Sequence, residues 1–417
     1  MGLLVDTTPL RVSRDFRRLW LGQAVSFVGS QVTAAALPYQ VFHQTGSSLA
    51  VGMLGLAQLG PLLTFALAGG AWADATDKRR LLLGVTAVAL GCSAALAVNS
   101  SLDHPQLWLM YVLAAVSSAT LAISLPVLRS IPPMLFEGDL RSAAFALQAT
   151  YGSFAMMAGP AIAGALIAGL GITSAYAADV GTYALALVAF AGISPSPPVE
   201  GAERASVASV MRGLRFSRGS MVTSVLAIDL LAMVFGMPRA LFPALTVRLG
   251  GGPVLYGLLV SSVAAGAFLA SLMSGWTRRV HRQGLALLLA VTVWGGTIAI
   301  AGLTTLPLVV MVALAGAGAA DMISGVYRYT IVADVTPDDL RGRVSGVELA
   351  VYAGGPVLGD VEAGVVGGLI GVPFAIVSGG VACVIGAALF GALVPKLTRY
   401  ERPGLALPSD VGEPLAG

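Results

Sequence analysis

The sequence predicts an all-α integral membrane protein of twelve transmembrane helices, arranged as two six-helix halves with both termini on the cytoplasmic side. Three observations carry that expectation. Of 417 residues, 56% are hydrophobic and 11% charged, less than half the roughly 25% charged residues that keep a soluble domain in solution. The apolar residues gather into long runs with the cations clustered at alternate junctions, and motifs of the first six runs recur in the last six.

The runs lie near 18–42, 48–72, 81–99, 107–131, 143–168 and 174–193, then near 220–247, 254–276, 284–304, 307–332, 344–370 and 373–395. Each is long enough to cross a hydrocarbon layer of roughly 30 Å as a helix, which takes about 20 residues. A barrel strand needs only about 10, with in/out alternation that these runs lack. The spans therefore divide the chain into a first half over 1–193, a linker over 194–219, a second half over 220–395 and a tail over 396–417. The linker opens Ser-Pro-Ser-Pro-Pro and then places Val207, Val210, Met211 and Leu214 on one helical face among Arg212, Arg215 and Arg218. That pattern predicts a short amphipathic helix lying on the inner membrane surface.

Orientation follows from the cations. Of the 24 Lys and Arg, 20 fall in the segments that are cytoplasmic if the N-terminus is inside, and Arg248 alone falls in an opposite loop. Positive charge marks the cytoplasmic side. The net charge is only +3 and its cations are dispersed, which excludes a nucleic-acid groove. Residues 1–16 lack the apolar core of a cleavable signal.

The halves look related. Asp139-Leu140-Arg141 enters span 5 and Asp339-Leu340-Arg341 enters span 11, each followed by a Gly-Pro deep in the helix, Gly159-Pro160 and Gly355-Pro356. Repeats of six spans are a transporter plan with the substrate site between the repeats near mid-membrane. Spans 5 and 11 are also the richest in glycine, which suits close helix packing. Their Gly-Pro pairs are expected to let the helices bend as the halves rock.

The loop between spans 2 and 3 places Gly70, Asp74, Asp77, Lys78, Arg79 and Arg80 together. An acid at the inner end of a helix, beside three cations, is suited to latch onto the other half and close the inner side. The equivalent second-half loop, Gly275-Trp276-Thr277-Arg278-Arg279, has no acid.

Charges inside spans are expensive and usually functional. Asp179 is in span 6, Asp229 and Arg239 in span 7, Asp321 and Arg328 in span 10, and Glu348, Asp360 and Glu362 in span 11. Counting depth along the helices pairs Glu348 with Arg328 and Asp360 with Arg239, while Asp321 and Arg328 lie about 10 Å apart along one face. Structural ion pairs that fix register are one reading of these charges. The other is a proton-coupling or substrate site, with Asp321 and Glu362 the leading carboxylates; Asp179, on a span expected at the periphery, reads as structural.

No Gly-x-x-x-x-Gly-Lys-Ser/Thr phosphate loop is present, and the chain has only two lysines, so ATP is not the expected energy source. His43, His104 and His281 lie at separate span ends and Cys92 and Cys383 lie singly within apolar runs. No metal, cofactor or catalytic triad is expected, and no enzyme activity.

The whole of roughly 14–400 resembles the major facilitator superfamily, and within it an enterobactin-exporter-like branch of drug:proton antiporters. The resemblance rests on Gly70-x-x-x-Asp74 with Asp77 and Arg79-Arg80, and on Gly152, Gly159-Pro160 and Gly164 of span 5. It rests also on Met237-Pro238-Arg239-Ala240-Leu241-Phe242-Pro243, on Thr336 through Gly346, and on Gly355-Pro356 through Gly364. It implies proton-driven export of a small amphipathic molecule such as a siderophore or drug by alternating access, with Asp74 and its cations at the inner gate. One departure is clear: span 4 reads Ala114-Ala115-Val116-Ser117-Ser118-Ala119-Thr120 where the superfamily carries a proton-linked arginine, and Arg129 is too near the inner end to replace it. The expected coupling site moves to spans 7, 10 and 11. Expected partners are a small-molecule substrate, protons and membrane lipids, with no nucleic acid and no partner chain required. A lipid or lysolipid flippase and a non-transporting sensor of the same fold are the alternatives.

Overall fold

Inside hydrocarbon a backbone amide has no water to bond, so each apolar run must satisfy its hydrogen bonds internally. The computed structural model describes residues 6–195, 221–337 and 340–401, except the side chains at 67–71, 73–75, 342 and 343. Its described residues form helices and no strands. The first half comprises α1 (Arg14–Thr45), α2 (Ser48–Ala75), α3 (Lys78–Ser100), α4 (Leu107–Leu135), α5 (Gly138–Leu170) and α6 (Ile172–Ala191). The second comprises α7 (Met221–Gly236), α8 (Pro253–Leu272), α9 (Gln283–Leu303), α10 (Pro307–Val335), α11 (Arg341–Leu369) and α12 (Val372–Leu393). Eleven spans among the described residues are long and apolar enough to cross a membrane. The 32-residue α1 is not among them; it has the length, but Gln23, Ser26, Ser30, Gln31 and Gln40 dilute its apolar character. The expected amphipathic helix over 207–218 lies outside the described residues.

Capping sets several starts. Ser13, Ser47 and Asp77 accept from the amides of Phe16, Ala50 and Arg80 and so open α1, α2 and α3. Pro160 and Pro356 lie inside unbroken helices, which neighbouring helices in a bundle make tolerable. Span 7 is different. The expected single run over 220–247 ends as α7 at Gly236, passes Met237-Pro238 and a 3-10 turn at Arg239–Leu241, and resumes as a short helix over Phe242–Arg248. Pro238 lacks the amide that would continue the ladder, and hydropathy alone runs straight across this break.

The first six helices pack chiefly on one another, as do the last six; the halves meet where α2 lies on α11 and α5 on α8. Glycine permits both crossings. Gly52 and Gly364 lie against the backbones of Asp360 and Leu49, and Gly164 and Gly257 against those of Pro253 and Pro160. A side chain at any of the four would collide with the opposite helix. These contacts share one end of the bundle, opposite the end that carries the arginine clusters of residues 14–18, 78–80 and 278–282. There Tyr256 also donates to the Ala35 carbonyl at 3.0 Å and its ring lies 5.2 Å from that of Tyr39.

Candidate functional site

The intramembrane charges of the second half separate into two groups at different depths. The deeper group centres on Arg328 of α10, 6% exposed, which ion-pairs with the fully buried Asp229 of α7. Its Nη2 also lies 3.8 Å from Asp321 Oδ1. The seven-residue separation of Asp321 and Arg328 spans about 10 Å along the axis, and the reach is explained by direction: a helical side chain points back toward the helix N-terminus. Arg328 therefore extends along its own helix to a carboxylate that axial counting puts out of range. Glu348, the partner expected from depth, lies within electrostatic reach of Arg328 without an ion pair.

Aromatic side chains complete the cluster. The Arg328 guanidinium sits 5.4 Å from the centroid of the Tyr352 ring of α11, and Tyr329 packs 5.8 Å from the same ring. Outside the ion pair itself, Asp229 Oδ2, Arg328 Nε and the hydroxyls of Ser324 and Tyr327 are buried without a hydrogen-bond partner in the protein. Buried polar atoms are nearly always satisfied, so so many in one place distinguishes this region from the rest of the bundle. It can hold or exchange a proton, or present polar groups to a substrate.

The second group is a clasp at the end where the halves meet. Arg239 Nη2 lies 2.7 Å from Asp360 Oδ2, and the Ala240 amide donates to Asp360 Oδ1 at 3.0 Å. The broken span 7 makes this possible, since the turn frees the Ala240 amide and aims it at α11. Asp360 is the residue whose backbone Gly52 approaches from the other half, so clasp and inter-half contact are one structure. Glu362, two residues on, has no hydrogen bond or ion pair among the described residues and lies near Cys383. Gly355 packs on Met233 of α7, and Gly159 on Gln31 of α1; both Gly-Pro pairs occupy close helix contacts.

At the arginine end, the side chains of Gly70 and Asp74 lie outside the described residues. Asp77 and Arg79 each make a contact within the first half. Asp77 caps α3, and Arg79 donates to the Ala191 carbonyl while Arg18 donates to that of Gly192, so two cations close the C-terminus of α6. Lys78 is buried and Arg80 is exposed at the rim of an apolar groove.

Sequence reasoning missed the surroundings of Asp179. It is 1% exposed and receives hydroxyls from α1 and α3, Thr33 Oγ1 and Ser93 Oγ each 2.7 Å from Oδ2. The signal was present as hydroxyl residues at mid-span in three helices, but any one of them is ordinary.

The chain matches the family model described as "Transmembrane secretion effector" over residues 6–407. It is 25% identical over 404 residues to the enterobactin exporter EntS of Citrobacter koseri, covering 96% of each chain. It is 26% identical to EntS of Shigella boydii serotype 18 over 403 residues, again covering 96% of each. Among solved structures, it superposes on the nucleoside transporter NupG with a TM-score of 0.75 at 12% identity, covering 92% of this chain and 99% of that one. It superposes on a bacterial homologue of the human lysosomal transporter Spinster with a TM-score of 0.67 at 15% identity, covering 92% and 96%.

Proposed function

Since the chain belongs to the major facilitator superfamily, in the family of transmembrane secretion effectors, and is thus a multi-pass membrane transporter and not an enzyme, we propose that it is a proton-driven exporter of a small amphipathic molecule. The observation that carries the coupling is the buried Asp229–Arg328 pair with Asp321 beside it. An arginine held between two carboxylates can keep one partner while the other takes up a proton, and charges of this kind inside a membrane mark proton and substrate paths. In this reading α1 is the twelfth span, the arginine-rich end is cytoplasmic, and the halves rock about the crossings of α2 on α11 and α5 on α8 to expose a substrate site to each side in turn. Export is supported by the relatives, named as enterobactin exporters.

The test is reconstitution in vesicles with an imposed pH gradient, following a catecholate, a lipophilic cation and a dye. Gradient-driven accumulation of one of them, lost in Asp321→Asn and in Asp229→Asn, is the expected result. Accumulation that persists in both variants overturns the residue assignment and leaves the exporter standing.

A second reading, movement of a lipid, is favoured by the groove between α2, α3 and α4, which opens sideways between Trp72, Val85, Val88 and Val116 with Arg80 at its rim. It predicts exchange of labelled lysolipid between leaflets without any pH gradient, and a charge-removing Arg80→Gln variant that slows it.

A further inference from the structure

We propose that Asp179 is a second proton-binding site, in the first half, holding its proton on Oδ1 and releasing it when α1 and α3 separate from α6. Its role in a transport cycle rests on the proton-driven reading above; its protonation does not.

The argument begins with what surrounds the carboxyl group. Asp179 is 1% exposed, and no cationic side chain pairs with it or acts on it from any described helix. A bare buried carboxylate without a countercharge is strongly disfavoured. Thr33 and Ser93 each send their one hydrogen to Oδ2, at 2.7 Å. Elsewhere in these helices a hydroxyl turns back to its own helix, as Thr86 does to Leu82 and Thr45 to Val41. Thr33 and Ser93 instead reach across to another helix.

The other oxygen shows where the proton belongs. Thr182 Oγ1 lies 2.8 Å from the Asp179 carbonyl and 3.2 Å from Oδ1. A hydroxyl has a single hydrogen, and the shorter contact, the ordinary bond to a carbonyl three residues back, takes it. Thr182 then presents a lone pair to Oδ1, and two acceptors face each other unless Oδ1 carries a hydrogen. With one proton there, every polar atom is matched: Oδ2 accepts two hydroxyls, Oδ1–H donates to Thr182, and Thr182 donates to the backbone. Gly29 of α1 lies directly against Thr182 Oγ1 and Asp179 Oδ1, so the absence of a side chain there lets the acid seat against α1.

The titratable neighbours are Tyr183 on the same helix and Cys92 on α3. Tyr183 is fixed by a 2.8 Å bond to Ser30 of α1. Neither is a cation, so neither replaces the proton. The site is assembled from three helices, and parting them gives the carboxyl water in place of two hydroxyls and frees its proton. The same oxygens would also suit a small monovalent cation, which the test separates.

Infrared spectra of the reconstituted full chain, recorded for wild type, Asp179→Asn and Thr182→Val, test the proposal. A protonated-carboxyl band at neutral pH that disappears in Asp179→Asn and shifts in Thr182→Val is expected. Asp179→Asn should also melt close to wild type, because its amide N–H donates to Thr182 where O–H did and its carbonyl still accepts from Thr33 and Ser93. Absence of such a band overturns the proposal, as does an Asp179→Asn variant that melts far below wild type, since a true carboxylate accepts where an amide N–H cannot. Stabilisation of wild type by sodium chloride over choline chloride, absent in Asp179→Asn, would also overturn it in favour of a cation site. Wild-type protein that shows the band but moves no compound keeps the proton site and removes the transport reading alone.

Discussion

The two halves bury carboxylates by opposite means. In the first, Asp179 is solvated by hydroxyls from three helices and meets no cation. In the second, Asp229 and Asp321 share Arg328, and several polar atoms around them lack hydrogen bonds in the protein. Hydroxyls are short and their helices must stay packed for the site to exist, so the first arrangement is made or lost as a whole with the packing of α1 and α3 on α6. A guanidinium on a long stem reaches two acids at once and can change which it favours. The difference teaches where removal of a charge should hurt most.

The largest effect is expected at Asp229. Asp229→Asn leaves Arg328 buried and short of a counterion, and breaking one side of a buried pair costs about 3–5 kcal/mol. Thermal melting in detergent should drop sharply. The triple change of Asp229→Leu, Arg328→Met and Asp321→Asn should recover most of that loss, because it removes the shared cation together with both of its carboxylates and leaves no uncompensated charge. Equal damage from the single and triple variants would show that Arg328 is not held by these carboxylates.

Next come the helix crossings that join the halves. Gly257→Leu forces a side chain into the backbone of α5 at Pro160, and overpacking of this kind costs about 1–3 kcal/mol. Here the strain falls on one conformation. Spin labels at Gln44 and Ile370, on opposite halves near the crossings, should report a longer distance in the variant, while a label pair confined to α1 and α6 should not move. An unchanged inter-half distance would show that the crossing tolerates the bulk.

How much of this was legible depends on what a residue's neighbours do. The Arg239–Asp360 clasp was readable because both residues sit at the same depth when helices are counted from their ends, and a pair at matched depth needs no further geometry. The partner of Arg328 was misread by the same counting, which places Glu348 level with it and ignores the N-terminal tilt of a long side chain. The hydroxyl surroundings of Asp179 were not legible because Thr33, Ser93 and Thr182 are none of them unusual alone. The break in span 7 was visible as Pro238, yet an apolar run hides a break that costs it no hydropathy. Composition sees the membrane; it does not see which way a side chain turns.

A smaller loss is expected for the clasp. Arg239 is about half exposed while Asp360 is largely buried, so water replaces much of what Arg239→Ala removes, and the Ala240 amide continues to hold Asp360. Against the 1.5–3 kcal/mol typical of hydrogen bonds to charged groups, screening brings the expected cost to about 1 kcal/mol. The same label pair at Gln44 and Ile370 should broaden without shifting its mean, which separates a loosened clasp from a forced-open crossing.

The smallest effect is expected at the arginine end, and it bears on what closes that end. Arg18 and Arg79 bond the last carbonyls of α6 at exposed positions, where an interaction of charge with a helix C-terminus is worth about 0.3 kcal/mol each. Both lie on the first half and cap a helix of the first half. Replacing both with Gln should lower the melting temperature slightly and leave the distance between labels at Leu135 and Met273, on either half at this end, as in wild type. A distance that lengthens instead would mean that these cations hold the halves together, and that the loop between α2 and α3 latches across the molecule as its sequence suggests. A distance that stays fixed would assign Arg18 and Arg79 to fastening α6 and leave an inner gate to be sought among the other residues of the loop.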